Sequence, residues 1–248
     1  MRVGASNEIS GQIREKFVVI KCHSGLTQSE NYLRNFAKNC YELSELGAYI
    51  IIVHDIAPIS LDILEGNYAD RMMTQKFKAF LCASRIIAVL NNFNLHAVSI
   101  FASSSEMVRA ELAQKNPPDL LLENYIAIPK EINSEILLHL HQSSNIISII
   151  SPIGLFTNTE REILLDTNIT AAMICEAVDG EYLILQEEEE ISGDLEDFIY
   201  SQKVGASFSE ESLIKAITFA LRSGSIKVKI VDYKKENSLI NAITKFHF

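Results

Sequence analysis

Cationic residues are in short supply in this sequence. Lys and Arg number 22 against 32 Asp and Glu, for a formal net charge of −10. A chain of that sign is a poor match for nucleic acid or for an anionic membrane surface, whose binding rests on Lys and Arg. Long apolar runs are missing as well, and none nears the roughly 20 residues of a membrane span. The opening stretch M-R-V-G-A-S-N-E-I-S carries no apolar signal core. Cys22, Cys40, Cys82 and Cys175 are widely spaced, with no C-x-x-C and no Cys/His pair at zinc spacing. His139 and His141 are two apart, so on a helix they point to different sides, and no metal site is expected. These absences predict a cytoplasmic protein that keeps its thiols reduced and binds neither nucleic acid nor membrane.

What is present is ample material for a core. The chain has 248 residues, 48% of them hydrophobic and 22% charged, enough for one large α/β domain and unlike a disordered composition. Lys227, Lys229, Lys234 and Lys235 form the one local basic cluster. Phe17–Ile20 and Tyr49–Val53 are short, almost unbroken apolar runs, as expected of strands buried on both faces of a parallel sheet. Between them Tyr32, Phe36, Cys40, Leu43 and Leu46 recur every three or four residues, one stripe of a helix. Ser29 is placed to cap its start and Gly47 to stop it. Strand, helix and strand make a right-handed βαβ unit. Ligands of such sheets bind at the carboxyl ends of the strands, here Lys21-Cys22-His23-Ser24-Gly25 and His54-Asp55-Ile56-Ala57-Pro58.

The alternation continues along the chain. A helix is expected over Ile59–Leu90, broken near Gly66-Asn67, with Phe77, Phe80, Leu81, Ile86, Ile87 and Leu90 as its core stripe. A strand at His96–Phe101 leads to serines 103–105, read as the cap of a helix containing Met107, Ala110 and Leu112. Asn116-Pro117-Pro118 is a breaker. A short strand Tyr125–Ile128, a helix Ser134–His141 and a strand Ile146–Ile150 follow, then a turn at Pro152 and Gly154. Further on come a helix Thr170–Val178, a strand Tyr182–Leu185, the acidic loop Glu187–Glu190, a helix Ser212–Leu221, a strand Ile226–Val231 and a helix Ser238–Thr244. Glu187–Glu190 read as a solvated acidic loop, with cation binding as the second reading.

The two strand-end loops resemble those of the amino acid kinase family, and most of all acetylglutamate kinase. Family members read V-x-K-Y-G-G at the first and V-H-G-G-G-P at the second. Lys21, His54 and Pro58 fit that pattern, while His23 and Ser24 stand for the first glycine pair and Asp55, Ile56 and Ala57 for the triplet. The run ending I-I-S-I-I-S-P-I-G, Ile146–Gly154, matches V-x-A-P-I-G. The family's N-A-D before T-A-A is here Thr167-Asn168-Ile169, its second lysine falls at Glu210, and its final aspartate is kept as Asp232. Its substrate lid with a G-L-R motif has no counterpart in the sequence, Arg71 being the nearest arginine.

The resemblance implies a three-layer αβα sandwich with a central, mostly parallel sheet. It also implies one domain over residues 1–248, with a substrate-side lobe near 16–135 and a nucleotide-side lobe near 136–248. By position it makes Lys21 the one retained catalytic candidate. His23, Ser24, His54, Asp55 and Asn168 become substrate-side positions, and Lys21, Gly25, Glu187 and Glu210 nucleotide-side positions. Three functions stay open. One is a pseudokinase that binds a small amino-acid-like ligand or regulates. Another is a divergent kinase moving the ATP γ-phosphate, with Mg2+, to the carboxylate of N-acetylglutamate or a similar acyl amino acid, a step of arginine biosynthesis by resemblance. The third is a structural, oligomer-forming protein. A homodimer or higher oligomer is expected in each case.

Overall fold

The computed structural model describes residues 11, 13–56, 68–112, 126–144, 146–191, 195–201 and 208–244. Ala57, Pro58, the breaker at 116–118 and the first part of the helix expected from Ile59 lie outside these residues.

A six-stranded sheet forms the middle layer. Its strands are β1 (Phe17–Cys22), β2 (Tyr49–His54), β3 (Ala97–Phe101), β6 (Ile147–Ser151), β9 (Tyr182–Glu187) and β10 (Lys227–Asp232). The spatial order is β10-β9-β1-β2-β6-β3, and every pairing in it is parallel. Alternate residues of a strand face opposite sides, and the core divides accordingly. Val18, Ile20, Ile50 and Ile52 face one apolar cluster with α1 (Glu30–Glu45), α2 (Tyr68–Asn91) and α7 (Ser238–Thr244). Val19, Ile51 and Val53 face the other, with α4 (Thr167–Ala177) and α6 (Phe208–Ser223). These strand residues are at most 1% exposed, so the continuous apolar runs are explained by burial on both faces. The expected αβα sandwich is the observed architecture.

Local chemistry sets the element ends. Ser29 caps α1, its hydroxyl accepting from the Tyr32 N–H at 3.5 Å. Gly47 ends that helix with φ +87°, a conformation in which a side chain would be strained.

Several expectations are corrected. On α2 the buried stripe is Ala79, Ala83, Ile86 and Leu90, whereas Phe77, Phe80 and Leu81 are 60, 55 and 45% exposed. Small alanines let the helix lie close to the sheet side, which turns the large residues outward. Residues 107–112 are not a helix: a 3-10 turn at Ser104–Glu106 leads into β4 (Val108–Leu112). Val108 and Ala110 are buried while Arg109 and Glu111 are not, a period of two. β4 belongs to a second sheet, in the order β5 (Ala127–Ile132), β4, β7 (Ile153–Phe156) and β8 (Glu162–Leu164). Gly154 therefore lies in a strand, and only Pro152 marks the bend. The helix expected from Thr170 starts at Thr167, because Asp166 caps it. The two remaining helices are α3 (Glu135–Ser144) and α5 (Leu195–Ser201).

Candidate functional site

The chain leaves β1 toward β2 on one side, and β9 returns on the other. A reversal of strand order opens a crevice at the carboxyl ends of the strands. A cleft of about 280 Å3 lies there. Its walls come from the end of β1 (Lys21, His23, Ser24), the end of β2 (Asp55), the start of α4 (Asp166, Asn168), the end of β9 (Glu187) and Ser212 of α6. Lys21, His23, Ser24, Asp55, Asn168 and Glu187, singled out along some 170 residues of sequence, are thus brought together.

Lys21 is the centre of the arrangement. It is 3% exposed, and its ammonium lies 3.0 Å from Asp55 Oδ2 and 2.8 Å from Glu187 Oε1. Its third donor reaches the Gln186 carbonyl at 3.4 Å. An ammonium has three N–H donors, and all three are occupied. Burial by itself would depress the Lys21 pKa, but the Asp55 and Glu187 carboxylates outweigh it and raise the pKa well above the ordinary value. Asp55 is held from its other oxygen by the Thr167 hydroxyl.

A second cluster surrounds Asp166. Its Oδ1 accepts from the Ile169 N–H at 3.0 Å and from the Ser212 hydroxyl at 2.7 Å. Burial raises its pKa, against the two hydrogen bonds, which lower it. Ser212 has one proton, and it goes to Asp166, so the oxygen of Ser212 accepts from Asn168 Nδ2 at 3.0 Å. That fixes the amide orientation. Asn168 Oδ1 is left buried with no hydrogen-bond partner among the described residues.

On the far side an aromatic group closes over the first loop. His23 Nδ1 accepts from the Gly25 N–H at 3.1 Å, which places its proton on Nε2. The ring stacks on Tyr233 with centroids 4.7 Å apart and planes 16° apart, and Tyr32 meets Tyr233 edge-on at 5.6 Å. Burial, then the charge of Lys21, lowers the His23 pKa, so the ring is neutral. Gly25 lies beneath: a Cβ there would stand 2.7 Å from a Tyr233 ring carbon.

Three expected positions do not line the cleft: Gly25, packed under Tyr233, and His54 and Glu210. His54 is 1% exposed and bonds Ser151 Oγ at 2.9 Å and the Asp55 carbonyl at 3.0 Å, inside the sheet rather than on the cleft. Glu210 sits in the first turn of α6 and does not line the cleft. The acidic loop and the basic cluster prove to be partners: Glu188 pairs with Lys234 at 3.6 Å, Glu190 with Lys235 at 3.0 Å, and Glu187 with Lys21. Glu188 and Glu189 are exposed, as a solvated loop requires, while Glu187 and Glu190 are half-buried against their lysines. Among the described residues no three His, Cys, Asp or Glu side chains are placed to hold a metal ion, and no helix is long and apolar enough to cross a membrane. Sequence reasoning gave no role to Ser212 or Tyr233. Nothing in the local sequence of either signals the cleft, since each arrives from a distant element. Asp166 did leave a signal, an acidic residue three before Ile169 at a helix start.

No family model matches the sequence. Acetylglutamate kinase of Desulfotalea psychrophila is 23% identical over 92% of this chain and 88% of its own length. The N-acetylglutamate synthase of Neisseria gonorrhoeae, solved with coenzyme A and N-acetyl-glutamate, superposes with a TM-score of 0.73 at 18% identity. That match covers 98% of this chain, which spans only 61% of that protein. Carbamate kinase of Giardia superposes with a TM-score of 0.66 at 12% identity, over 92% of this chain and 97% of its own. The chain has the amino acid kinase fold and resembles acetylglutamate kinase along nearly its whole length.

Proposed function

We propose that this protein binds a small amino-acid-like ligand in the cleft at Lys21 and performs little or no phosphoryl transfer, a binding or regulatory member of the acetylglutamate kinase type. The observation that carries this reading is the state of Lys21. Its three donors are spent on Asp55, Glu187 and the Gln186 carbonyl, so none is left for a phosphate or a reacting carboxylate. A kinase site stabilises charge that develops on the transferring group with free cations and close backbone N–H groups. Here Asp55 and His23 stand where the resemblance places glycines, and Glu187 adds a carboxylate at the nucleotide side. ATP and Mg2+ do not fit this set of side chains. Losing one strong electrostatic contact costs on the order of 100- to 1000-fold in rate, and here several are replaced at once.

Residues before and after the middle of the chain share the cleft. Lys21, His23, Ser24 and Asp55 face Asp166, Asn168, Glu187 and Ser212, which supports a ligand held between a 16–135 side and a 136–248 side. The reading includes self-association, supported by the exposed Met73, Phe77 and Phe80 of α2; sedimentation velocity of the wild type and Phe77→Ser tests it. The central test is acyl-phosphate formation from ATP, Mg2+ and N-acetylglutamate, trapped with hydroxylamine, together with calorimetry of ATP–Mg2+. Expected are turnover at background and no binding in the micromolar range. Robust turnover that disappears in Lys21→Ala would refute the reading.

A further inference from the structure

His23 holds its neighbours in a way that only its neutral form can. It precedes a 3-10 turn over Ser24–Gln28 and caps it, Nδ1 accepting from the Gly25 N–H at 3.1 Å. Nδ1 has a lone pair to offer in this tautomer and none once protonated. A proton there sets N–H against N–H, and turning the ring over sets a C–H against the same donor. Gly25 is buried, and a buried donor without an acceptor is unfavourable, so the cap and the proton exclude each other. The ring rests on Tyr233, which is fixed from several directions. The Tyr233 N–H donates to the Glu187 carbonyl at 3.2 Å, and Asp232 Oδ1 accepts from the Lys234 N–H at 2.8 Å. Just beyond, Asn39 of α1, 2% exposed, accepts from the Leu239 and Ile240 N–H groups at the start of α7, at 3.1 and 3.4 Å. Tyr233 is therefore the anchored half of the stack, and the turn that carries Ser24 onto the cleft wall is the half that gives way.

We propose that His23 is a proton-operated latch on the β1 side of the cleft. Neutral, it caps the turn and closes on Tyr233; protonated, it gives up the Gly25 N–H, leaves Tyr233 and frees the turn bearing Ser24. The charged groups that face it are Lys21 of β1, Asp55 after β2, and Glu187 and Glu188 at the end of β9. Tyr233 brings Asp232 and Lys234 with it, the Lys234 ammonium lying 5.4 Å from its ring centroid, and α1 adds Tyr32. The carboxylates favour a proton on His23, but burial and then Lys21 outweigh them and hold its pKa below the ordinary 6.5. The released ring takes its proton at the ordinary value and the closed ring only at lower pH. Closure is thus complete above 6.5 and is lost as the pH falls through the folded value. The latch adds a control to the binding role proposed above, yet its readouts need no ligand, so either can fail while the other stands.

Two measurements on the full chain test it. Imidazole 15N NMR, with the His23 signals assigned by their loss in His23→Asn, should show the Nε2–H tautomer at pH 8. The titration midpoint should lie below 6.5 and move up toward it in Tyr233→Leu. Should His23→Asn not fold, the signal displaced in Tyr233→Leu identifies His23, and the midpoint decides. Amide exchange read by mass spectrometry, corrected for its intrinsic pH dependence, should show protection of residues 25–28 falling at least about 3-fold between pH 8 and pH 5, while β1 and β2 keep theirs. His23→Asn offers Gly25 an amide oxygen that takes no proton, so its turn should keep its protection over the same range. An Nδ1–H tautomer at pH 8, a midpoint at or above 6.5, protection of the turn that ignores pH, or the same loss in His23→Asn would overturn the latch.

Discussion

Replacing Lys21 by methionine separates a structural lysine from a catalytic one. A lysine kept for phosphoryl transfer can be exchanged for a similarly shaped apolar residue with little loss of stability. Here the ammonium is buried and neutralises two carboxylates at 3.0 and 2.8 Å. Removing one partner of a buried ion pair strands the other and costs about 3–5 kcal/mol. Asp55 and Glu187 side chains are about one-fifth exposed, so water relieves part of this, and the lower end of that range, about 3 kcal/mol, is the expectation. For a chain of this size that is a fall in Tm of roughly 6–12 °C. Because the Lys21 pKa is raised, its contribution is whole below the ordinary value of 10.5 and is lost only as the pH climbs through the higher folded value. Urea unfolding at pH 7, followed by circular dichroism, therefore reads all of it. A second measurement fixes the cause: Lys21→Met should cost less when combined with Glu187→Gln, since fewer charges are stranded. A midpoint for Lys21→Met that stays within about 0.5 kcal/mol of wild type would refute the reasoning, and with it the view that Lys21 is locked.

Three further outcomes are expected. His141 is 2% exposed, lies against the rings of Phe17 and Tyr49, and is pushed down to about 4 by burial. Its folded pKa is below the unfolded one, so stability is lost as the pH falls from about 6.5 toward 4, by about 2–3 kcal/mol in total, and His141→Phe should flatten urea midpoints between pH 7 and 4.5 in direct comparison with wild type. Gly25→Ala drives a methyl group into Tyr233 and should lower stability by about 1–3 kcal/mol, with thermal melts showing partial recovery in a Tyr233→Leu background; a melt unchanged by Gly25→Ala would mean that the His23–Tyr233 stack yields freely. On α2, Phe77→Ser should change unfolding free energy by no more than about 0.5 kcal/mol, whereas Ile86→Ala should cost about 2–5 kcal/mol, and a cost for Phe77→Ser as large as that for Ile86→Ala would return Phe77 to the buried stripe.

The sequence by itself determined the sheet and most of its connections. Phe17–Ile20, Tyr49–Val53, Ile146–Ile150 and Tyr182–Leu185 are apolar enough to be read as strands covered on both sides, Ile226–Val231 alternates with Lys227 and Lys229 as an edge strand does, and all five lie in one parallel sheet. Caps and stops such as Ser29 and Gly47 were legible because their chemistry is local. The strand ends that carry Lys21 and Asp55 were legible too, since a parallel sheet offers its ligands only that edge. What the tertiary structure alone decided was every relation between distant elements. Of the stripe on α2, Ile86 and Leu90 are buried as read, but Phe77, Phe80 and Leu81 are exposed and Ala79 and Ala83 are buried in their place, a choice that only the sheet against which the helix packs makes. Val108–Leu112 became a strand because β5 and β7 are there to pair with it. Glu187–Glu190 look like a repulsive loop in one dimension, yet Lys21, Lys234 and Lys235 neutralise three of them in space. The open acceptor of Asn168 depends on one proton of Ser212, 44 residues away in the chain. Charge pairing and hydrogen-bond direction are fixed by distances of a few ångströms, and a linear spacing carries no such information across a fold.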